Sequence, residues 1–234
     1  LLNRFKLPLS VSFLSGIVYM LFSSSFQIYV FVAIMGVSFT LSSILGEFYK
    51  SYKKQKKGSN FLHSIVKMFL SNRHKNGGYI VHIGIVLLFI GFIGRAFEVE
   101  KEFSLSPGEQ IYFSNYVFKL NSIKSEARDN HYAFLSEIDV VDSSTNQLLV
   151  NLKPEKRIYF YWNSDPEKRQ PHSELDIYST IQKDIYSIFS GYDAQKNIGY
   201  FKIMINPLVN WVWIGGVLMV IGSLFAFWPS RRGN

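Results

Sequence analysis

The sequence predicts a membrane α-helical protein of four transmembrane helices. An all-β domain, a small antiparallel barrel or sandwich, is inserted between the third and fourth. Three observations lead there. Four stretches carry almost no charge: Leu7–Phe22, Phe26–Gly46, Tyr79–Phe97 and Pro207–Trp228. Between residues 98 and 206, short β-rich runs alternate with turn signals. The basic residues, finally, gather at the ends of the apolar stretches rather than spreading evenly. Hydrophobic residues make up 48 % of the chain and charged ones 18 %, below the roughly 25 % charged that is usual in soluble domains.

A bilayer core about 30 Å thick needs roughly 20 apolar helical residues. The second, third and fourth stretches meet that length. The first meets it when extended back to Phe5, which leaves Arg4 and Lys6 at the boundary, where long basic side chains snorkel. A cleaved signal peptide is disfavoured, because a second apolar stretch follows within a few residues with no small-x-small site between them. Residues 5–46 are therefore expected to hold two spans. A basic loop, 47–78, follows, and within it Phe61, Leu62, Ile65, Val66 and Phe69 recur at helical spacing over 59–71. That pattern predicts a short helix with its apolar side in the inner interface and membrane lipid as its partner; packing on another subunit is the alternative. The third span covers 79–97 and the fourth 207–228, with Trp211, Trp213 and Trp228 placed as an aromatic belt.

Residues 98–206 read as β structure. Val99, Phe103 and Leu105 lead into a Ser-Pro-Gly-Glu turn at Ser106–Glu109. Runs then follow at Gln110–Leu120, His131–Val141, Gln147–Lys153, Lys156–Trp162 and Ile198–Ile205, with a turn at Asp142–Asn146 and a hydrophilic loop at Asn163–His172. Evenly spaced short strands suggest a barrel or a sandwich. Asp184–Phe189 fits a strand or a helical turn equally well.

Charge fixes the expected orientation. The 47–78 loop carries eight Lys and Arg residues and one acid, Glu47, while residues 98–206 hold 16 of the 17 acids against 12 basic residues. By the positive-inside rule, both termini and the 47–78 loop are cytoplasmic, including the tail 229–234, and the β domain lies outside. The net charge of +8 then reports membrane topology and lipid headgroups, not nucleic acid. There is no cysteine, which excludes disulfides and thiolate chemistry.

His82 is the principal candidate for a functional role. An ionisable side chain inside a span is costly to charge and is a functional-site hypothesis by default. Neutral imidazole is a metal ligand and a common axial ligand of heme iron. The plainer reading, equally open on residue chemistry, is an imidazole bonded to a carbonyl or to water. Gly84, Gly91 and Gly94 leave room for a second helix or a flat macrocycle. Arg95 should snorkel at the end of the third span, well round the helix from His82. His63 and His74 read as interfacial. His131 and His172 stand in the β domain without partners at ligand spacing. Lys153-Pro154-Glu155-Lys156-Arg157 reads as a solvated, charge-protected edge. No phosphate loop, nucleophile elbow or zinc spacing occurs.

Three segments carry a resemblance: Gly77-Gly78-Tyr79-Ile80-Val81-His82-Ile83-Gly84; Glu155-Lys156-Arg157-Ile158-Tyr159; and Asn206-Pro207-Leu208-Val209-Asn210-Trp211-Val212-Trp213-Ile214-Gly215-Gly216 with Trp228-Pro229-Ser230-Arg231. Together they resemble the C-terminal part of the CcmF family, the heme lyase component of cytochrome c maturation. The resemblance implies a multi-pass protein of the bacterial cytoplasmic (inner) membrane with residues 98–206 periplasmic. It also implies that His82 is an axial ligand of a heme b, which keeps substrate heme reduced. Apocytochrome c, heme, the upstream half of the lyase and other maturation proteins become the implied partners. The family's tryptophan-rich heme loop and the partner transmembrane histidine have no counterpart in this sequence. The resemblance therefore implies a fragment, or one subunit of a split enzyme that assists heme attachment. A non-catalytic membrane-anchored β module that docks apocytochrome or maturation partners is the competing reading. A transporter fragment is weaker, since the spans lack paired charges and broken helices.

Overall fold

The computed structural model describes residues 2–23, 26–55, 73–160 and 171–228. The expected interfacial helix at 59–71, His63, most of the 163–172 loop and the tail 229–234 lie outside the described residues. Two compact units form, a helical one from residues 1–97 and 208–234 and a β one from Glu98–Pro207.

The helical unit has α1 (Leu2–Phe22), α2 (Ile28–Gln55), α3 (Arg73–Gly94), a 3₁₀ turn at Arg95–Phe97, and α4 (Val209–Phe227). All four helices are long and apolar enough to cross a membrane. Apolar side chains gain nothing by leaving lipid tails, so helices in a bilayer associate through close packing and polar contacts. Both are present. Ser12 donates its hydroxyl to the Met35 carbonyl at 2.8 Å, joining α1 to α2. Phe48 meets Tyr79 edge-on at 5.1 Å and Lys75 donates to Glu47 at 3.3 Å, joining α2 to α3.

The α3–α4 pair is the tightest. Gly77, Gly84 and Gly91 repeat every seven residues and face α4. A Cβ on Gly84 would stand 2.6 Å from Met219 Cγ and 2.7 Å from the Gly215 carbonyl oxygen, and one on Gly215 would stand 2.5 Å from the Gly84 oxygen. Backbone approaches backbone here, which only glycine allows. Of the two occupants that the sequence left open for the space at Gly84, helix or macrocycle, the structure shows the helix.

The β unit is a sandwich, as its two sheets share no strand. One sheet runs β1 (Val99–Leu105), β10 (Ile198–Pro207), β9 (Lys183–Asp193), β8 (Asp176–Ser179). The other runs β2 (Gln110–Phe113), β3 (Tyr116–Ala127), β4 (His131–Asp142), β6 (Glu155–Tyr159), β7 (Pro171–Glu174), with β5 (Leu148–Leu152) also on β4. Every pairing is antiparallel. The alternating inward residues Phe118, Leu120, Ile138, Val140, Ile185, Phe189, Phe201 and Ile203 fill the core and are essentially inaccessible. Turn chemistry sets the hairpins. Gly108 takes φ 94° while Ser106 N–H donates to Glu109 Oε2 at 2.7 Å. At the Asp142 turn the Ser144 hydroxyl and backbone N–H donate to the carboxylate, holding it below the ordinary carboxylate range.

One open reading is resolved and one expectation changes. Asp184–Phe189 is strand, the heart of β9, because its apolar residues alternate inward against β10. The charged run at Lys153–Arg157 is not an edge, since β6 pairs with β4 on one side and β7 on the other. Arg157 ties the strands together instead, bonding Glu155 at 2.9 Å and Glu174 at 3.2 Å. Lys156 points the other way and donates to Ser173 at 2.9 Å, and burial pulls its ammonium below the usual lysine range.

Candidate functional site

The candidate site is built on one face of α3. His82 is exposed there, and its Nδ1 lies 2.7 Å from the carbonyl oxygen of Gly78, one turn earlier. A carbonyl only accepts, so Nδ1 carries the hydrogen of the neutral ring and Nε2 carries the lone pair. This is the arrangement found at metal-bound histidines, where the second nitrogen is held by an oxygen and the first is left to coordinate. The carbonyl bond anticipated by the plainer reading is therefore present. It orients the imidazole and leaves Nε2 without a part in that bond.

At about 100° per residue, Gly84 lies roughly 200° round the helix from His82. The two residues consequently do opposite jobs: Gly84 is buried against α4 while His82 looks away. Ile85, Val86 and Phe89, at spacings of three, four and seven, share the face of His82. They form one wall of an apolar groove of about 540 Å³, whose other wall is α2, with Val32, Gly36 and Thr40 among its residues. The α2 contribution was not legible from the sequence. Its one signal is Gly36 followed four residues later by Thr40, a pair that shares a helix face.

The remaining candidates do not join this face. Arg95 is exposed in the 3₁₀ turn, roughly 220° round from His82 by helical spacing. His74 is exposed and meets Phe227 edge-on at 6.4 Å. In the β unit, Tyr159 lies between His131 at 4.9 Å and His172 at 5.6 Å, ring centre to ring centre. His131 is only 8 % exposed and its Nδ1 is 2.6 Å from Asn130 Oδ1. No group of three or more His, Asp or Glu able to hold a metal ion occurs among the described residues. Trp213 and Trp228 are exposed near opposite ends of α4, where indole suits a membrane interface.

Comparison with known proteins bears on these observations. Residues 96–207 match the family described as the CcmF C-terminal beta-sandwich. The cytochrome c-type biogenesis protein CcmF of Haemophilus influenzae is 24 % identical over 200 residues, covering 82 % of this chain and 30 % of that protein. CcmF of Pseudomonas aeruginosa is 25 % identical over 66 % of this chain and 22 % of its own length. The probable cytochrome c-type biogenesis protein NrfE of Escherichia coli is 25 % identical over 65 % of this chain and 26 % of its own length. The chain thus spans under a third of the relatives it matches. A solved structure, Cytochrome c Heme Lyase CcmF, shares the fold over 95 % of this chain and 34 % of its own, with a TM-score of 0.66 and 17 % identity.

Proposed function

We propose that this chain, a C-terminal part of the CcmF family, supplies His82 as one axial ligand of a heme b within the membrane and so assists the covalent attachment of heme to apocytochrome c. One observation carries the reading: His82 is exposed on a membrane helix with its Nδ1 pinned by the Gly78 carbonyl. The surroundings suit the group. An imidazole lone pair is a fitting donor for heme iron, and the adjoining groove is apolar, as a porphyrin requires. Bound heme would bring one-electron chemistry at iron. The chain's own residues have simpler tasks: Gly78 fixes the imidazole tautomer, α3 keeps the ring out of bulk water, and the glycine seam holds α3 against α4.

The second axial ligand, the upstream part of the lyase and apocytochrome c are partners in this reading, and none of them belongs to the described residues. The test is the absorption spectrum of the protein purified from its native membranes with its partners. A reduced low-spin b-type spectrum supports the reading. Absence of heme from an otherwise intact complex sinks it and leaves a β module that only docks.

Orientation completes the proposal. The basic 47–78 loop and both termini face the cytoplasm and the β domain faces the periplasm, because lysines and arginines in short loops are retained inside. A cysteine replacing Lys53, which is exposed, should resist an impermeant maleimide in intact cells and react after the inner membrane is opened. One replacing Lys196, 70 % exposed in the β unit, should react once the reagent reaches the periplasm. The reverse pattern would invert the topology.

A further inference from the structure

The following inference rests on the reading of His82 as a heme ligand and concerns how the ring is seated. His82, Ile85, Val86 and Phe89 line one face of α3. The space between α2 and α3 differs on the two sides of His82. Toward the N-terminal end of α3 it is closed, by Phe48 packed on Tyr79 at 5.1 Å and by the Glu47–Lys75 ion pair at 3.3 Å. Toward the C-terminal end it opens into the groove of about 540 Å³, a volume within the roughly 300–1,000 Å³ typical of ligand sites. Its walls carry no charged side chain.

Gly36 sits on the α2 wall of this opening, and Phe89 is on its α3 wall. A Cβ built on it would meet no atom within 4 Å, so the glycine is not demanded by any contact within the described helices. It leaves a place that a larger side chain would fill.

We propose that this groove seats the apolar edge of the macrocycle whose iron His82 ligates, and that Gly36 is the residue that admits it. Charge and continuity select this occupant. The groove begins one turn from the imidazole, on the same face. A wall without cations favours the methyl- and vinyl-bearing edge, because a carboxylate buried there would have no partner to offset its desolvation. The propionate edge is then turned away from α2 and α3. Under the orientation given above, the ring leans toward the periplasmic side of His82.

Gly36→Leu tests this in the complete membrane complex. Leucine improves helix propensity and its Cβ would meet no atom within 4 Å, so insertion and co-purification with partner proteins should persist. Filling the groove should cost roughly tenfold in heme retention and shift the Soret band of whatever heme remains, with Gly36→Ala showing a smaller change of the same kind. Full heme content with an unshifted spectrum would overturn the proposal. So would loss of partner proteins at undiminished heme, which would mean that a protein helix occupies the groove. The reading of His82 fails separately: it falls if His82→Ala keeps its heme, whatever Gly36→Leu does.

Discussion

Protein carrying His82→Ala is expected to emerge from its membranes without the b-type absorption proposed for the parent, while the amount of inserted protein and its partners stay the same. The separation of the two effects follows from where His82 sits. It is exposed on α3, so truncating it opens no cavity in the packed seam and removes one bond only, Nδ1–H to the Gly78 carbonyl. A helix already satisfies that carbonyl along its own ladder. What the substitution removes is the Nε2 lone pair, and with it the proposed bond to iron. Added imidazole should restore part of the spectrum, since a free ring can enter the space that the side chain left. His74→Ala is the control: the same residue type on the same helix, exposed near Phe227 and away from the groove, and its loss should leave the spectrum untouched. An unchanged spectrum in His82→Ala, or equal losses in both variants, would remove His82 from the ligand set.

Much of the fold was legible because the signals were long. Spans of about 20 apolar residues leave few alternatives, and strands separated by Asp-Ser-Ser-Thr-Asn or Ser-Pro-Gly-Glu punctuate themselves. Where the sequence misled, the missing information was tertiary. Lys153–Arg157 looks like a protected edge, yet pairing with β7, a four-residue strand with little apolar signal of its own, places it inside the sheet. Gly84 and His82 stand two residues apart and read as one site. Helical rotation assigns them to opposite faces, and only the position of α4 tells which face is filled. The opposite wall of the groove was beyond reach for a similar reason. Nothing in the spacing of Gly36 and Thr40 says that α2 would stand across from Phe89.

The β unit should respond to a core truncation without carrying the helices along. Phe201 is 1 % exposed, stacks on Phe189 at 4.9 Å with the rings 12° from parallel, and lies 6.1 Å from Phe103. Its ring also covers Gly199, where a Cβ would come within 2.7 Å of it. Three strands therefore meet at this side chain. Phe201→Ala should cost about 3–5 kcal/mol, transfer and cavity terms combined, from a total that is about 5–15 kcal/mol for a typical domain. The midpoint of melting should fall on the order of 15 °C. Hydrogen exchange over Glu98–Pro207, read alongside heme absorbance, checks both the size and the independence of the effect. Protection of β9 and β10 should be lost at temperatures where the heme spectrum is unaltered. The reason is that Ser12, the Phe48–Tyr79 contact and the glycine seam hold the helical unit together, while Phe201 packs within the core of the β unit. Simultaneous loss of protection and absorbance would instead mean that the sandwich and the helices melt as one body, and that the His82 face of α3 depends on the β domain for its order.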